Sequence, residues 1–292
     1  MAAAPRTAAI AALLAGATAI ATSALWVKVS EAGPVSTAFW RVAIALPFLA
    51  LWMALERNRP AVANPARERR LLLITGFFFA GDLAVWHWSI VLTSVANSTL
   101  LANLAPIFVT LTAWLFFRRM PSGRFLAGLA LAIAGSALLI GGSVNLQESA
   151  LLGDALGVVT AMFYAGYQLA VKRARETTST AKLMFASGVV TAVLLLPIAW
   201  LSGEQLLPLT MHGWWILIGL ALVSQVGGQS LIAYALAHLP ATFSSVALLF
   251  QPVMATLFAW VLFGEALTST AIAGGIMVLI GIRIAHQAEI AR

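Results

Sequence analysis

Apolar residues run through this chain in long blocks, broken by short polar segments rich in Pro, Gly and Arg. A helix rises 1.5 Å per residue, so about 20 apolar residues cross ~30 Å of hydrocarbon. Ten blocks meet that length: Thr7–Val27, Val35–Leu55, Leu71–Leu92, Ala96–Phe117, Phe125–Val144, Leu151–Val171, Leu183–Leu201, Gly213–Ala233, Ala241–Phe263 and Leu267–Ala285. The connectors carry turn punctuation, as in Gly33-Pro34, Pro60 to Pro65, Pro121-Ser-Gly123 and Pro240. No connector is long enough to separate water-soluble domains. The pattern predicts an all-α integral membrane protein of ten spans. The first block follows Arg6 and is Ala-rich, but it exceeds the ~7–15 residues of a signal-peptide apolar region.

Composition narrows the classes further. Of 292 residues, 61% are hydrophobic and 9% charged, with a mean hydropathy of +0.95. Soluble domains carry about 45–50% apolar and about 25% charged residues. A soluble enzyme, a disordered regulator and a nucleic-acid binder are therefore excluded, and the partner expected is the lipid bilayer. Without cysteine the chain has no disulfide and no thiolate metal site. Neither a metal nor a cofactor is expected.

The net charge of +7 is distributed by side. Loops numbered alternately from the N-terminus place 15 of the 17 Lys and Arg on the N-terminal side, including Arg67, Arg69, Arg70, Arg118, Arg119, Arg124, Lys172, Arg173, Arg175 and Lys182. The other side receives Lys28 with Glu31, Glu148, Asp154, Glu204 and Glu265. Cytoplasmic loops carry the basic excess. Both termini are thus expected in the cytoplasm of a bacterial inner membrane.

The chain also repeats itself. A shift of 146 residues aligns Ser98/Ser244, Pro106/Pro252, Thr110/Thr256, Leu111/Leu257, Ala113/Ala259, Trp114/Trp260, Phe117/Phe263, Ala127/Ala273, Gly128/Gly274 and Gly135/Gly281 without a gap. Two five-helix halves are expected, residues 1–146 and 147–292, within one membrane domain. Five is odd, so the second half enters the membrane from the opposite side. Inverted repeats of this kind place a substrate near the midplane and support alternating access.

Asn103-Leu-Ala-Pro-Ile-Phe-Val-Thr-Leu-Thr-Ala-Trp114, followed by Gly128 to Gly135, resembles the EamA repeat of the drug/metabolite transporter superfamily. Phe250-Gln-Pro-Val-Met-Ala-Thr-Leu-Phe-Ala-Trp260, running into Phe263-Gly-Glu-Ala-Leu267, resembles it more closely. Phe39-Trp-Arg41 is similar to the family's aromatic-Arg signature on the second span. One position departs: the Glu that follows the fourth span in the family is Arg119 here, while Glu265 keeps it in the second half. The resemblance implies a ten-helix fold and export of amino acids and metabolites. The aromatic and His-rich third span resembles the YddG-type aromatic amino-acid exporters.

A charged residue at mid-span costs about 2.5–3.5 kcal/mol on insertion scales, so it is expected to face a partner or a cavity. Arg41 and Asp82 are such residues. They either form a structural ion pair, or Asp82 titrates or binds a substrate ammonium group. Helical spacing adds polar faces. The third span carries Thr75, Asp82, Trp86, Ser89 and Thr93 with His87 beside them. The fourth carries Thr99, Asn103, Pro106 and Thr110, and Pro106 and Pro252 are expected helix kinks. The sixth has Thr160, Tyr164, Tyr167 and Gln168; the eighth has Gln225 and Gln229 beside Gly227 and Gly228; the ninth has Ser244, Ser245 and Gln251. Each of these polar side chains alternatively serves helix packing. Together they suit a small zwitterion with an apolar side chain.

The histidines His87, His212, His238 and His286 form no HExxH, and no GxSxG or neighbouring carboxylate pair occurs. An integral-membrane enzyme is therefore the weaker alternative. The expected protein is a secondary transporter exporting amino acids, aromatic ones first, or related metabolites. A proton-coupled or facilitative drug or metabolite transporter is the alternative, and a homo-oligomer is compatible with either.

Overall fold

The structure is a computed structural model that describes residues 6–56, 64–118, 120–141, 148–264 and 266–290. Ten helices among these residues are long and apolar enough to cross a bilayer. They are α1 (Arg6–Lys28), α2 (Pro34–Leu55), α3 (Pro65–Leu92), α4 (Ala96–Phe116), α5 (Gly123–Ile140), α6 (Ala150–Ala174), α7 (Thr180–Leu201), α8 (Met211–His238), α9 (Ala241–Leu262) and α10 (Ser269–Ile290). No strand occurs among the described residues. Only helices or closed barrels satisfy the backbone within hydrocarbon, so this architecture follows from the apolar blocks.

Local chemistry sets the helix ends. Ser94, Ser122, Ser179 and Thr210 each accept a hydrogen bond from the backbone N–H three residues on, a cap that contributes about 1 kcal/mol. Helix α5 ends where Gly141 turns left-handed (φ 64°), and the expected extension to Val144 lies outside the described residues, as do Arg119 and Glu265. Helix α8 continues past the expected Ala233 to His238. Helix α4 is interrupted at Asn103 and Leu104 before Pro106, and α9 at Leu248 and Leu249 before Pro252.

The 146-residue register extends beyond the identities that reveal it. Helices α2 and α7 are both 22 residues long, with Pro34 corresponding to Thr180 and Leu55 to Leu201. Helices α3 and α8 are both 28 residues long, with Pro65 corresponding to Met211 and Leu92 to His238.

The chain forms two compact units, and each draws on both halves of the sequence. The first comprises residues up to Ala84 together with Gly166–Leu239. Here α1 packs on α8 with Gly16 against Gly228: a Cβ at Gly16 would lie 2.9 Å from the Gly228 carbonyl oxygen. Helix α2 packs on its repeat counterpart α7.

The two loops at one end of this unit cap each other's helices. Glu31 accepts hydrogen bonds from the N–H groups of Leu209 and Thr210, both at 2.9 Å, and from the Thr210 hydroxyl. Glu204 accepts from the Val35 N–H at 2.9 Å. The Thr210 hydroxyl and backbone hold the Glu31 carboxyl below the ordinary carboxylate range.

A buried polar knot closes the other end. Glu68 accepts from Lys182 Nζ at 2.7 Å and from the Thr178 hydroxyl at 3.0 Å, while Glu56 accepts from the Ser179 hydroxyl. Arg175 donates to the Thr178 carbonyl, and its burial pulls its guanidinium below the usual arginine range.

The second unit comprises Val85–Ala165 and the residues from Pro240 onward. Its spine is α5 against α10, joined by four glycines. Gly128 meets Gly281 and Gly135 meets Gly274, with would-be Cβ atoms 2.6–2.8 Å from the opposite carbonyl oxygens. One index rises as the other falls, so the helices run antiparallel. Gly128 and Gly274 are repeat mates, as are Gly135 and Gly281, so exchanging the halves maps each contact onto the other. That is what two inverted repeats require. Phe125, Leu129, Val246, Leu249, Val253 and Val278 fill the surrounding core.

Candidate functional site

Four helices of the first unit bring polar side chains into an apolar interior. Arg41, on α2, is 8% exposed. Its Nε donates to Gln225 Oε1 on α8 at 3.1 Å. A hydrogen bond to a charged group contributes about 1.5–3 kcal/mol, enough to hold the guanidinium in place. Asp82 lies on α3 within the electrostatic reach of Arg41. It is partly exposed, and among the described residues its carboxylate has neither a hydrogen-bond nor an ion-pair partner.

One turn before Asp82, Phe79 stacks on Tyr167 of α6 with ring centroids 4.7 Å apart. The buried Tyr167 hydroxyl donates to Gln229 Oε1 at 3.1 Å. Gln168, next along α6, is 1% exposed, and neither polar atom of its amide has a hydrogen-bond partner among the described residues. Gly166 leaves room for the Phe78 ring, whose atoms come within 2.5 Å of a would-be Cβ.

Gln225 and Gln229 sit in a stretch of α8, Ala221–Gln229, wound as a π-helix. Such i→i+5 windings are rare and concentrate at functional sites. This one contains Gly227 and Gly228, and Gly228 lies directly against Ile20 and Ala19 of α1. The widened turn thus carries both glutamines and the close contact with α1.

The second unit holds the remaining candidates. Gln251 Nε2 donates to the Tyr164 hydroxyl at 3.3 Å. His87 is buried, edge-on to Trp86 at 4.9 Å. Asn103 Nδ2 reaches Ser136 Oγ at 3.3 Å across to α5. Ser245 donates to the Thr242 carbonyl of its own helix, whereas the buried Ser244 hydroxyl has no hydrogen-bond partner among the described residues. Several polar positions of the α3 face serve packing instead. Ser89 donates to the Gly153 carbonyl and Thr93 to Asp154 Oδ1, both at 2.7 Å, and Thr75 donates to Leu71 of its own helix. Gly153 and Gly157 admit Thr93 and Leu101 at distances no Cβ would allow.

Of the expected site residues, then, Arg41, Asp82, Tyr167, Gln168, Gln225 and Gln229 belong to the first unit. Trp86, His87, Asn103, Tyr164, Ser244, Ser245 and Gln251 belong to the second. Sequence reasoning passed over Phe79, Ser136 and the π-helical winding. The Gly227-Gly228 pair between the two glutamines was the available signal for the last. Among the described residues no three His, Asp or Glu side chains group as a metal site would require.

Ten apolar helices, two opposed repeats and a mid-span polar cluster define a multi-pass membrane transporter. Residues 7–141 and 151–285 each match the EamA-like transporter family, and the chain belongs to that family with the repeat present twice. It is 26% identical over 243 residues to the pseudopaline exporter CntI of Pseudomonas aeruginosa, covering 83% of this chain and 82% of the relative. It is 28% identical over 245 residues to an uncharacterized transporter of Archaeoglobus fulgidus, covering 84% and 87%. A probable terminal-alkyne amino-acid exporter of Streptantibioticus cattleyicolor is 28% identical over 208 residues, covering 70% and 69%. A crystal structure superposes with a TM-score of 0.81 at 17% identity, covering 99% of this chain and all of the other, which establishes the shared fold.

Proposed function

We propose that this protein exports amino acids or closely related small zwitterionic metabolites, aromatic ones in particular, by alternating access. The observation that carries this reading is the cluster of Arg41, Asp82, Tyr167, Gln225 and Gln229. Both sequence halves contribute to it, and it lies where a polar group without a ligand or partner is costly. Two of the relatives above are named as an exporter of pseudopaline and a probable exporter of a terminal-alkyne amino acid; both names support the direction, and the second supports the amino-acid class. Aromatic side chains are favoured by the Phe79–Tyr167 stack within the cluster. Gln168 is proposed to join that cluster, and Trp86, His87, Asn103, Tyr164, Ser244, Ser245 and Gln251 are proposed substrate contacts of the second unit. The membrane is a bacterial inner membrane with both termini in the cytoplasm, as the basic loops support.

A second reading, proton-coupled transport of a drug or other metabolite, is favoured by one observation: Asp82 is a titratable group at mid-span with no hydrogen-bond or ion-pair partner among the described residues. Counterflow separates the two. Labelled phenylalanine should enter proteoliposomes preloaded with unlabelled phenylalanine and be competed by tryptophan and tyrosine but not by lysine. Absence of uptake by folded protein would reject the aromatic assignment. The cysteine-free chain also permits a clean topology test. A single cysteine at Ser122 should resist an impermeant thiol reagent applied to intact cells, and one at Ser202 should react.

A further inference from the structure

The charges of the cluster say more about the cargo, on the amino-acid reading above. We infer that Asp82 and Arg41 act as a charge-selecting pair: Asp82 receives the ammonium group of a net-neutral zwitterion, and Arg41, fixed by Gln225, balances the site so that neither a simple cation nor a simple anion suffices.

Three observations converge on this assignment. First, Asp82 is partly exposed at mid-span and has no hydrogen-bond or ion-pair partner among the described residues. A carboxyl group there needs a hydrogen-bonding partner, and an ammonium group offers three donors. Second, Arg41 is anchored to Gln225 while still acting on Asp82 electrostatically. The pair presents opposite charges without consuming each other in a direct contact.

Third, the repeat supplies an internal control. In the 146-residue register Arg41 corresponds to Ser187 and Asp82 to Gly228. Ser187 donates to Leu183 of its own helix at 2.7 Å, and Gly228 lies against Ile20 and Ala19. Helices of equal length therefore form in the second half without any charge at these positions. A pair required for folding the repeat would be expected in both halves; a pair that selects a ligand is needed once.

The test compares three probes that share one ring: phenylalanine, phenylethylamine without the carboxylate, and 3-phenylpropionate without the ammonium. The full chain is used, with affinity read from ligand-induced thermal stabilisation in detergent and from competition in phenylalanine counterflow. Wild type should prefer phenylalanine to each fragment by at least about tenfold. Asp82→Asn should collapse the preference over 3-phenylpropionate towards unity, because the group that receives the ammonium is then neutral. Arg41→Gln should instead improve phenylethylamine relative to phenylalanine. An unchanged preference in folded Asp82→Asn overturns the inference. If that variant does not fold, the wild-type panel decides, because equal affinity for phenylalanine and 3-phenylpropionate overturns the inference while leaving the amino-acid reading intact. Wild type stabilised by no zwitterion among phenylalanine, tryptophan and threonine overturns both together.

Discussion

Two adjacent glycines on α10 have opposite expected responses to the same substitution. A Cβ at Gly274 would lie 2.6 Å from both the Gly135 oxygen and the Leu139 nitrogen, which are backbone atoms unable to rotate away. Ordinary contacts begin at 3.4 Å, so the α5 and α10 axes must part by several tenths of an ångström or more. Overpacking of this kind costs about 1–3 kcal/mol. A Cβ at Gly275 meets only the tip of Leu139 at 3.4 Å and Val253 at 3.8 Å. Replacing a mid-helix glycine there recovers up to ~1 kcal/mol of helix propensity. Gly274→Ala should therefore lower the melting temperature in detergent, and Gly275→Ala should hold or raise it. At about 2–4 °C per kcal/mol, the two should differ by roughly 2–12 °C. The same shift in both variants would mean that the glycine contact does not set the packing of α5 on α10.

Two further predictions follow from particular contacts. Tyr167→Phe keeps the stack on Phe79 but strands the buried Gln229 oxygen, at a cost of about 1–3 kcal/mol; the expected readout is a lower melting temperature, and an unchanged one would mean that the hydroxyl contributes nothing to the cluster. Glu31 has a folded-state pKa below its free value of 4.5, so its stabilisation is complete above about pH 4.5 and lost as the pH falls through the folded value. Glu31→Gln should flatten that acid-side loss in melts taken between about pH 7 and pH 3, and an equally steep loss in the variant would assign it to other groups.

The fold was legible because its signals are one-dimensional. Apolar length gives the spans, and Pro106/Pro252 with the paired glycines give the repeat. What the sequence hid was which polar groups meet. Tyr164 and Gln168 lie one turn apart on one helix and read as one stripe, yet they belong to different compact units. Ser89 and Thr93 shared a face with Asp82, yet they bond across to α6. Periodicity reports which face of a helix a residue occupies. It does not report which neighbour covers that face, and that is decided by packing between distant segments. Phe79 was invisible for the same reason, because an aromatic in an apolar run carries no mark of the tyrosine it will meet.

The repeat register also indicates where function departs from scaffold. Arg41 and Asp82 in the first half correspond to Ser187 and Gly228 in the second. Gln225 and Gln229 in the second correspond to Phe79 and Leu83 in the first. The polar groups are thus complementary and not duplicated: each half supplies what its counterpart lacks at the same position of a helix of the same length. The shared positions do the opposite, since Gly128, Gly135, Gly274 and Gly281 serve one antiparallel contact twice over. Symmetry maintains the close packing, where both halves face the same steric requirement. The unshared charges and glutamines named here lie on α2, α3 and α8, and on the export reading proposed above one unsymmetrical molecule with a distinct charged end needs one such site, because a duplicated one would leave its second set of charges unmatched within the apolar span.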